Sequence, residues 1–217
     1  METIHILGIH SSPIKEGNVA HLLNHALQEA QKEEGVATES ISLAGMSISD
    51  CTHCNWCARK QTADQLCAIE DDAAAILKKI QACDILVLAS PVYFARLSGL
   101  MACMIDRTRC FLFGRQKSMA LRGKIGLALT VAWMRNAGIE TTLESLHNAF
   151  LLHEMWTPPL HHAGVIFGVG AVSGQMNADL SYKSNKVGVM EDAQALKSAR
   201  LLMQKGINMA RNFKQEL

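Results

Sequence analysis

Ile4-His5-Ile6-Leu7-Gly8-Ile9-His10-Ser11-Ser12-Pro13-Ile14-Lys15-Glu16-Gly17-Asn18 is a short apolar run that breaks into a polar loop ending in glycine and asparagine. The run Ile4–Ile9 has strand length, and turn-forming residues bound it. Helical periodicity follows at once, because Leu22, Leu23, Ala26, Leu27 and Ala30 fall on one side of a helix predicted over Val19–Glu34. A strand that enters a helix through one tight loop is the building unit of an α/β fold. The loop itself is an anion site by construction. The hydroxyls of Ser11 and Ser12, the free N–H groups of the helix start and the positive end of its dipole converge there. Gly17 lets a backbone approach an oxyanion, Asn18 can cap the helix, and Lys15 can add a cation. The same residues would also serve a plain strand–helix connection. Their spacing matches neither the dinucleotide fingerprint nor the triphosphate P-loop, which leaves a mononucleotide phosphate as the expected anion.

Outward from this unit the alternation continues. Val36–Leu43 alternates as a half-buried strand, Asp72–Ala82 reads as a helix, and Ile85–Ala89 is a continuous apolar strand. Ser98–Cys110 reads as a helix, Lys124–Val131 as a fourth strand, Thr141–His153 as a helix and Met190–Phe213 as a last helix. Met155–Thr157 and Val165–Val169 compete for a fifth strand. Strands buried on both faces, each followed by a helix, predict a five-stranded doubly wound parallel sheet with helices on both sides. The 217 residues are read as a single domain with two irregular segments, the cysteine-rich Ser47–Glu70 and the glycine-rich His161–Gly188. In such sheets the loops at the carboxyl ends of the strands carry the chemistry.

Composition narrows the partners. A net charge of +1, with no basic stripe, gives no electrostatic case for nucleic acid. No stretch approaches the roughly 20 apolar residues of a membrane helix, and Met1–Gly8 reads as a strand rather than a signal peptide. Seven cysteines without such a signal point to a reducing, cytoplasmic setting, where grouped thiols serve metals or redox chemistry.

The loop after the third strand, Ser90-Pro91-Val92-Tyr93-Phe94, and the pair Asp106-Arg107 complete a set with Ser12-Pro13 and Gly17-Asn18. In this order the motifs resemble the flavodoxin-like NAD(P)H-dependent FMN reductase superfamily, over most of residues 1–150. The resemblance implies FMN, with its phosphate at Ser11, Ser12, Lys15, Gly17, Asn18 and Val19, and its ring beside Pro91, Val92, Tyr93 and Phe94. Ile14 and Val19 stand where that family usually carries an arginine and a threonine. A third segment is implied after the fourth strand, where Thr130, Val131, Ala132 and Gly138 would offer backbone groups to the ring edge and Arg135 would balance charge on the reduced flavin. The alternative reading leaves Trp133 in the core and Arg135 solvated.

Cys51-Thr52-His53-Cys54-Asn55-Trp56-Cys57 is a C-x2-C-x2-C run, and nine residues separate it from Cys67. Three thiols so spaced can wrap one face of an iron–sulfur cubane, and a fourth from a returning loop can close it. Here the resemblance narrows to the iron–sulfur flavoproteins, with Cys51, Cys54, Cys57 and Cys67 as ligands of a 4Fe–4S cluster and the acidic pair Asp71-Asp72 starting the next helix. A zinc site using His53, or cysteines kept without any metal, remain open alternatives. Cys83, Cys103 and Cys110 read as structural, the last two on one helical face.

The expected function is an FMN-dependent oxidoreductase that passes electrons between a ferredoxin-like or NAD(P)H donor and a small-molecule acceptor, as a homodimer or homotetramer. Its rivals are a cluster-free NAD(P)H-dependent reductase of flavin, quinone or nitro compounds, and a non-enzymatic flavodoxin-like carrier or zinc-stabilised interaction module. No acid–base dyad or triad is apparent, which suits a flavin that carries the chemistry itself.

Overall fold

The computed structural model describes residues 2–215. In chain order the elements are β1 (Ile4–His10), α1 (Asn18–Gln31), β2 (Val36–Ser42), α2 (Trp56–Lys60), α3 (Ala73–Ala82), β3 (Ile85–Pro91), α4 (Gly99–Arg107) and α5 (Arg109–Leu112). There follow β4 (Ile125–Ala132), α6 (Ile139–Leu152), β5 (Val169–Val172), the hairpin of β6 (Gly174–Met176) with β7 (Tyr182–Ser184), and α7 (Ala193–Gln215). The main sheet runs in the order β2-β1-β3-β4-β5, and all four pairings are parallel. This is the flavodoxin-like order, whose ligand crevice lies where the strand sequence reverses, between β1 and β3.

Two apolar clusters sandwich the sheet. On one face Ile4, Ile6, Val87 and Leu127 pack with the α1 row Leu22, Leu23, Ala26 and Leu27, and with Ala199, Leu202 and Ile207 of α7. On the other, Leu7, Ile9, Leu86 and Leu88 meet Ile76 and Leu77 of α3, Met101 and Met104 of α4, and Leu146 and Phe150 of α6. Alternate residues of each strand feed opposite clusters, as a sheet covered on both faces requires. Both β3 and β4 are buried at every position.

Three local expectations change. The fifth strand is Val169–Val172, beginning where one candidate segment ended. The other candidate contributes only a single parallel bridge, between Trp156 and Ile125. The segment 161–188, expected to be irregular, holds β5 and the β6–β7 hairpin. The helix expected over Ser98–Cys110 is two helices. Ser98 caps α4 by accepting the Met101 N–H at 3.2 Å. At its far end the Thr108 hydroxyl donates back to the Ile105 carbonyl at 2.6 Å, and α5 restarts at Arg109. In one continuous helix Arg107 and Arg109 would lie roughly 200° apart. The break lets both reach the same place.

Candidate functional site

The carboxyl ends of β1, β3 and β4 are stitched into one unit. Ser11 N–H donates to the Ala89 carbonyl at 3.1 Å, and Val92 N–H to the Val131 carbonyl at 3.0 Å. The Ser98 hydroxyl bonds the Ser11 hydroxyl at 2.7 Å, Ser98 N–H donates to the Ser90 hydroxyl at 3.0 Å, and the Thr130 hydroxyl donates to the Ser90 carbonyl at 2.8 Å. All four of these side chains are buried. A buried, fully bonded hydroxyl relay of this kind fixes loop positions with little slack.

The relay also shows what the loop residues cannot do. Ser11 and Thr130 spend their hydroxyls on neighbours, whereas the Ser12 hydroxyl accepts the Ile14 N–H at 3.2 Å and keeps its own O–H to donate. Val19 lies in the core, and Val131 and Ala132 close a buried strand rather than line a loop. Asn18 does not cap α1; the cap position is Gly17, which offers no side chain. Instead the Asn18 amide donates to the Asn185 carbonyl at 2.8 Å and accepts the Val189 N–H at 2.8 Å. The first-turn N–H groups of α1 therefore have neither intrahelical acceptors nor a side-chain cap, which is the arrangement that binds a phosphate. Lys15 is exposed beside them. His10, buried as the last residue of β1, has an Nδ1 without a partner, and burial lowers its pKa below the ordinary histidine value.

A second junction joins the loops that follow β3 and β4. Tyr93 and Arg96 exchange both backbone hydrogen bonds, at 2.9 and 3.1 Å, around Phe94 and Ala95. Both central residues have positive φ, 49° and 57°, an unusual conformation for side-chain-bearing residues. The tight turn leaves the Phe94 ring 98% exposed. The turn is held from the β4–α6 loop and the first turn of α6, where the Thr141 hydroxyl donates to the Ala95 carbonyl at 2.6 Å. Gly138, at φ 103°, lies so close that a Cβ there would sit 2.3 Å from Ala95 Cα. Only glycine fits that contact. Arg135 is exposed in the same loop.

The cysteine insertion forms a separate site. His53 and Asn55 both take left-handed backbone, with φ of 54° and 57°, so the chain curls on either side of Cys54. Cys51, Cys54, Cys57 and Cys67 line one cavity, together with Cys110, Arg107 and Arg109. Cys110 was expected to be structural; the break at Thr108 places it in this wall. His53, the alternative zinc ligand, is exposed and does not line the cavity. Among the described residues no three Cys, His, Asp or Glu side chains close on one metal position. The thiols ring a space instead.

Three side chains anchor the insertion. Arg107, 1% exposed, pairs with Asp71 at 2.5 Å and donates to the carbonyls of Ser49 at 3.2 Å and Ile69 at 3.1 Å. Burial works against the Asp71 carboxylate, but Arg107 and the N–H groups of Ser49 and Ala73 together hold it below the usual carboxylate range. Gln61, wholly buried, donates to the Leu66 and Cys110 carbonyls and accepts the N–H groups of Gln116 and Lys117. Arg109 donates to the Asn55 side-chain oxygen at 2.8 Å. Burial pushes the thiols of Cys57 and Cys110 up. Yet the Nε groups of Arg107 and Arg109 are buried there without hydrogen-bond partners. Unpaired buried donors beside several thiols fit an anionic, sulfur-rich group. Gln61, Arg109 and Cys110 carried no sequence signal of their own, whereas Asp71 and Arg107 stood in motifs whose connection only the fold reveals.

Residues 4–169 match the family described as NADPH-dependent FMN reductase. An iron–sulfur flavoprotein of Methanocaldococcus jannaschii is 40% identical over 179 residues, covering 80% of this chain and 87% of the relative. An iron–sulfur flavoprotein of Methanosarcina thermophila is 33% identical, covering 69% and 74%. Among solved structures, RosB with bound 8-demethyl-8-formylriboflavin-5'-phosphate superposes with a TM-score of 0.72 at 17% identity, over 98% of this chain and 81% of RosB. A WrbA-like flavodoxin from Agrobacterium tumefaciens gives 0.59 at 14% identity, over 97% and 99%. At such identities the structural likeness shows the fold.

Proposed function

The chain belongs to the NADPH-dependent FMN reductase family, on its iron–sulfur flavoprotein branch, and from that premise we propose that it is a two-centre electron-transfer flavoprotein. It is an FMN-dependent oxidoreductase. The finer reading assigns the FMN phosphate to the uncapped first turn of α1 and the loop from Ser11 to Asn18. The ring lies beside Pro91–Phe94 and the loop from Thr130 to Gly138. In this reading the grip on phosphate comes from backbone N–H groups, Lys15 and the Ser12 O–H, which accepting from Ile14 leaves free to donate. The Ser11 hydroxyl and the Asn18 amide are engaged elsewhere. FMN supplies two-electron chemistry that can be released in single steps, and the chain positions it and excludes other contacts.

The observation that carries the second centre is the cavity ringed by Cys51, Cys54, Cys57 and Cys67, with two buried arginine Nε groups lacking partners. A cubane takes one thiolate at each of four irons, so its ligands surround a volume; structural zinc needs four ligands converging on one ion. The arrangement around a space favours the 4Fe–4S cluster. One helix relates the two sites. The cap of α4, Ser98, touches Ser11 and Ser90, and its last residue, Arg107, lines the thiol cavity. A helix of that length is roughly 13 Å. A ferredoxin-like or NAD(P)H donor and a small-molecule acceptor complete the proposal, with a homodimer or homotetramer as the working unit. No described helix is long and apolar enough to cross a membrane.

Anaerobic purification followed by iron, acid-labile sulfide, zinc and flavin analysis tests this reading. About four irons and four sulfides per chain, with FMN, is the expected result. Flavin alone with rapid NAD(P)H oxidation would favour a cluster-free reductase, and zinc in place of iron would refute the cluster. Cys54→Ala should abolish cluster absorption and leave FMN bound, since the phosphate loop is built from other elements.

A further inference from the structure

The two arginines at the thiol cavity are not electrically equivalent. The charge of Arg107 is offset by Asp71 at 2.5 Å, and its two terminal nitrogens donate to the Ser49 and Ile69 carbonyls. Its Nε has no partner, and its guanidinium faces the Cys67 thiol. Arg109 has no carboxylate within ion-pair distance among the described residues. Its guanidinium lies over the Phe113 ring, 4.5 Å from the centroid, and one nitrogen donates to the Asn55 side-chain oxygen at 2.8 Å. Asn55 stands between Cys54 and Cys57 on the curled segment, so the loop that carries the thiols also aims the guanidinium. The Arg109 Nε is buried and without a partner. Arg109 lines the same cavity as Cys54 and Cys57.

We propose that Arg109, and not Arg107, poises the reduction potential of the group held by Cys51, Cys54, Cys57 and Cys67. The inference rests on the reading above that these thiols hold an iron–sulfur cluster. Four thiolates make such a cluster an anion, and the electron it accepts adds one more negative charge. An uncompensated cation in a partly dehydrated wall favours the reduced form and raises the potential. Arg107 brings a charge already cancelled by Asp71, so its removal costs stability more than potential. The aromatic face of Phe113 neutralises nothing; it fixes the plane of the guanidinium and keeps water from one side.

The test is a potentiometric titration of the loaded protein, followed by cluster absorbance and electron paramagnetic resonance. In Arg109→Gln the reduced-to-oxidised ratio at a fixed potential should fall about tenfold, a shift of about 59 mV to more negative values. Arg109→Lys keeps the charge and should recover more than half of that shift. A glutamine variant within about threefold of wild type overturns the inference, and so does a lysine variant shifted as far as glutamine. If the glutamine variant does not retain a cluster, the lysine variant decides alone. Agreement with wild type within about threefold then supports the role of charge, and a tenfold fall overturns it. Failure of the underlying reading is distinct, because wild-type protein would then lack iron and sulfide before any variant is made.

Discussion

Replacing Arg107 by methionine removes the charge and the donors while keeping much of the aliphatic bulk, so it isolates the clamp that joins the cysteine insertion to α4. Arg107 and Asp71 have side chains 0% and 7% exposed, which makes this a buried pair. Breaking a buried pair from one side costs about 3–5 kcal/mol, because the remaining charge stays desolvated without its partner. Asp71 would keep only the N–H groups of Ser49 at 3.0 Å and Ala73 at 3.1 Å, and the carbonyls of Ser49 and Ile69 would lose their donor. We expect Arg107→Met to lose about 4 kcal/mol in urea unfolding, which at a slope of about 2 kcal/mol per molar lowers the midpoint by about 2 M. Adding Asp71→Asn should return at least 1 kcal/mol of that loss, since the two residues form one network. The released segments flank Cys51 and Cys67, so alkylation of these thiols should quicken in the single variant. A loss below about 1 kcal/mol, or strict additivity in the double variant, would refute the assignment of Arg107 as the clamp.

Two further outcomes are expected. His153 is buried, its Nε2 lies 2.8 Å from the Thr108 hydroxyl, and burial drives its pKa from 6.5 down to about 4. The unfolded chain then binds the proton more readily, so this contribution is intact above pH 6.5 and is lost as the pH falls toward 4. It should amount to about 1.4 kcal/mol at pH 5.5 and about 3 kcal/mol in full, and an equally steep pH profile in His153→Gln would show the source to lie elsewhere. Gly138→Ala forces a Cβ to within 2.3 Å of Ala95 Cα and places a side chain at φ 103°. It should displace the 93–96 turn and weaken FMN binding at least tenfold, measured by flavin fluorescence; an unchanged affinity would dissociate that turn from the flavin.

The parts of the molecule legible from sequence were those fixed by local pattern. Apolar runs and 3.6-residue periodicity located the first four strands and the long helices to within a few residues, because both faces of the sheet are buried. The cysteine spacing brought out Cys51, Cys54 and Cys57, and the family resemblance added Cys67; all four line one cavity, which Cys110 joins unforeseen. What stayed hidden depends on distant contacts. The strand Val169–Val172 is four residues long, too short for a periodic signal, and its place is set by pairing with β4. The end of α4 follows from one hydroxyl turning back on its own helix at Thr108, which propensity does not mark. Arg109 and Gln61 acquire their roles only because α5 folds against the insertion. Asn18 looked like a helix cap, yet its amide is claimed by residues 185 and 189.

That last contact bears on how the protein is made. The bonds from Asn18 to Asn185 and Val189 close loops of 167 and 171 residues. Contacts so distant in sequence form late, after local elements have collapsed. A ribosome delivers the Ser11–Asn18 loop first and its brace last, so a nascent chain has the loop long before it can hold it in place. A chain cut short before residue 185 would carry the loop without its brace.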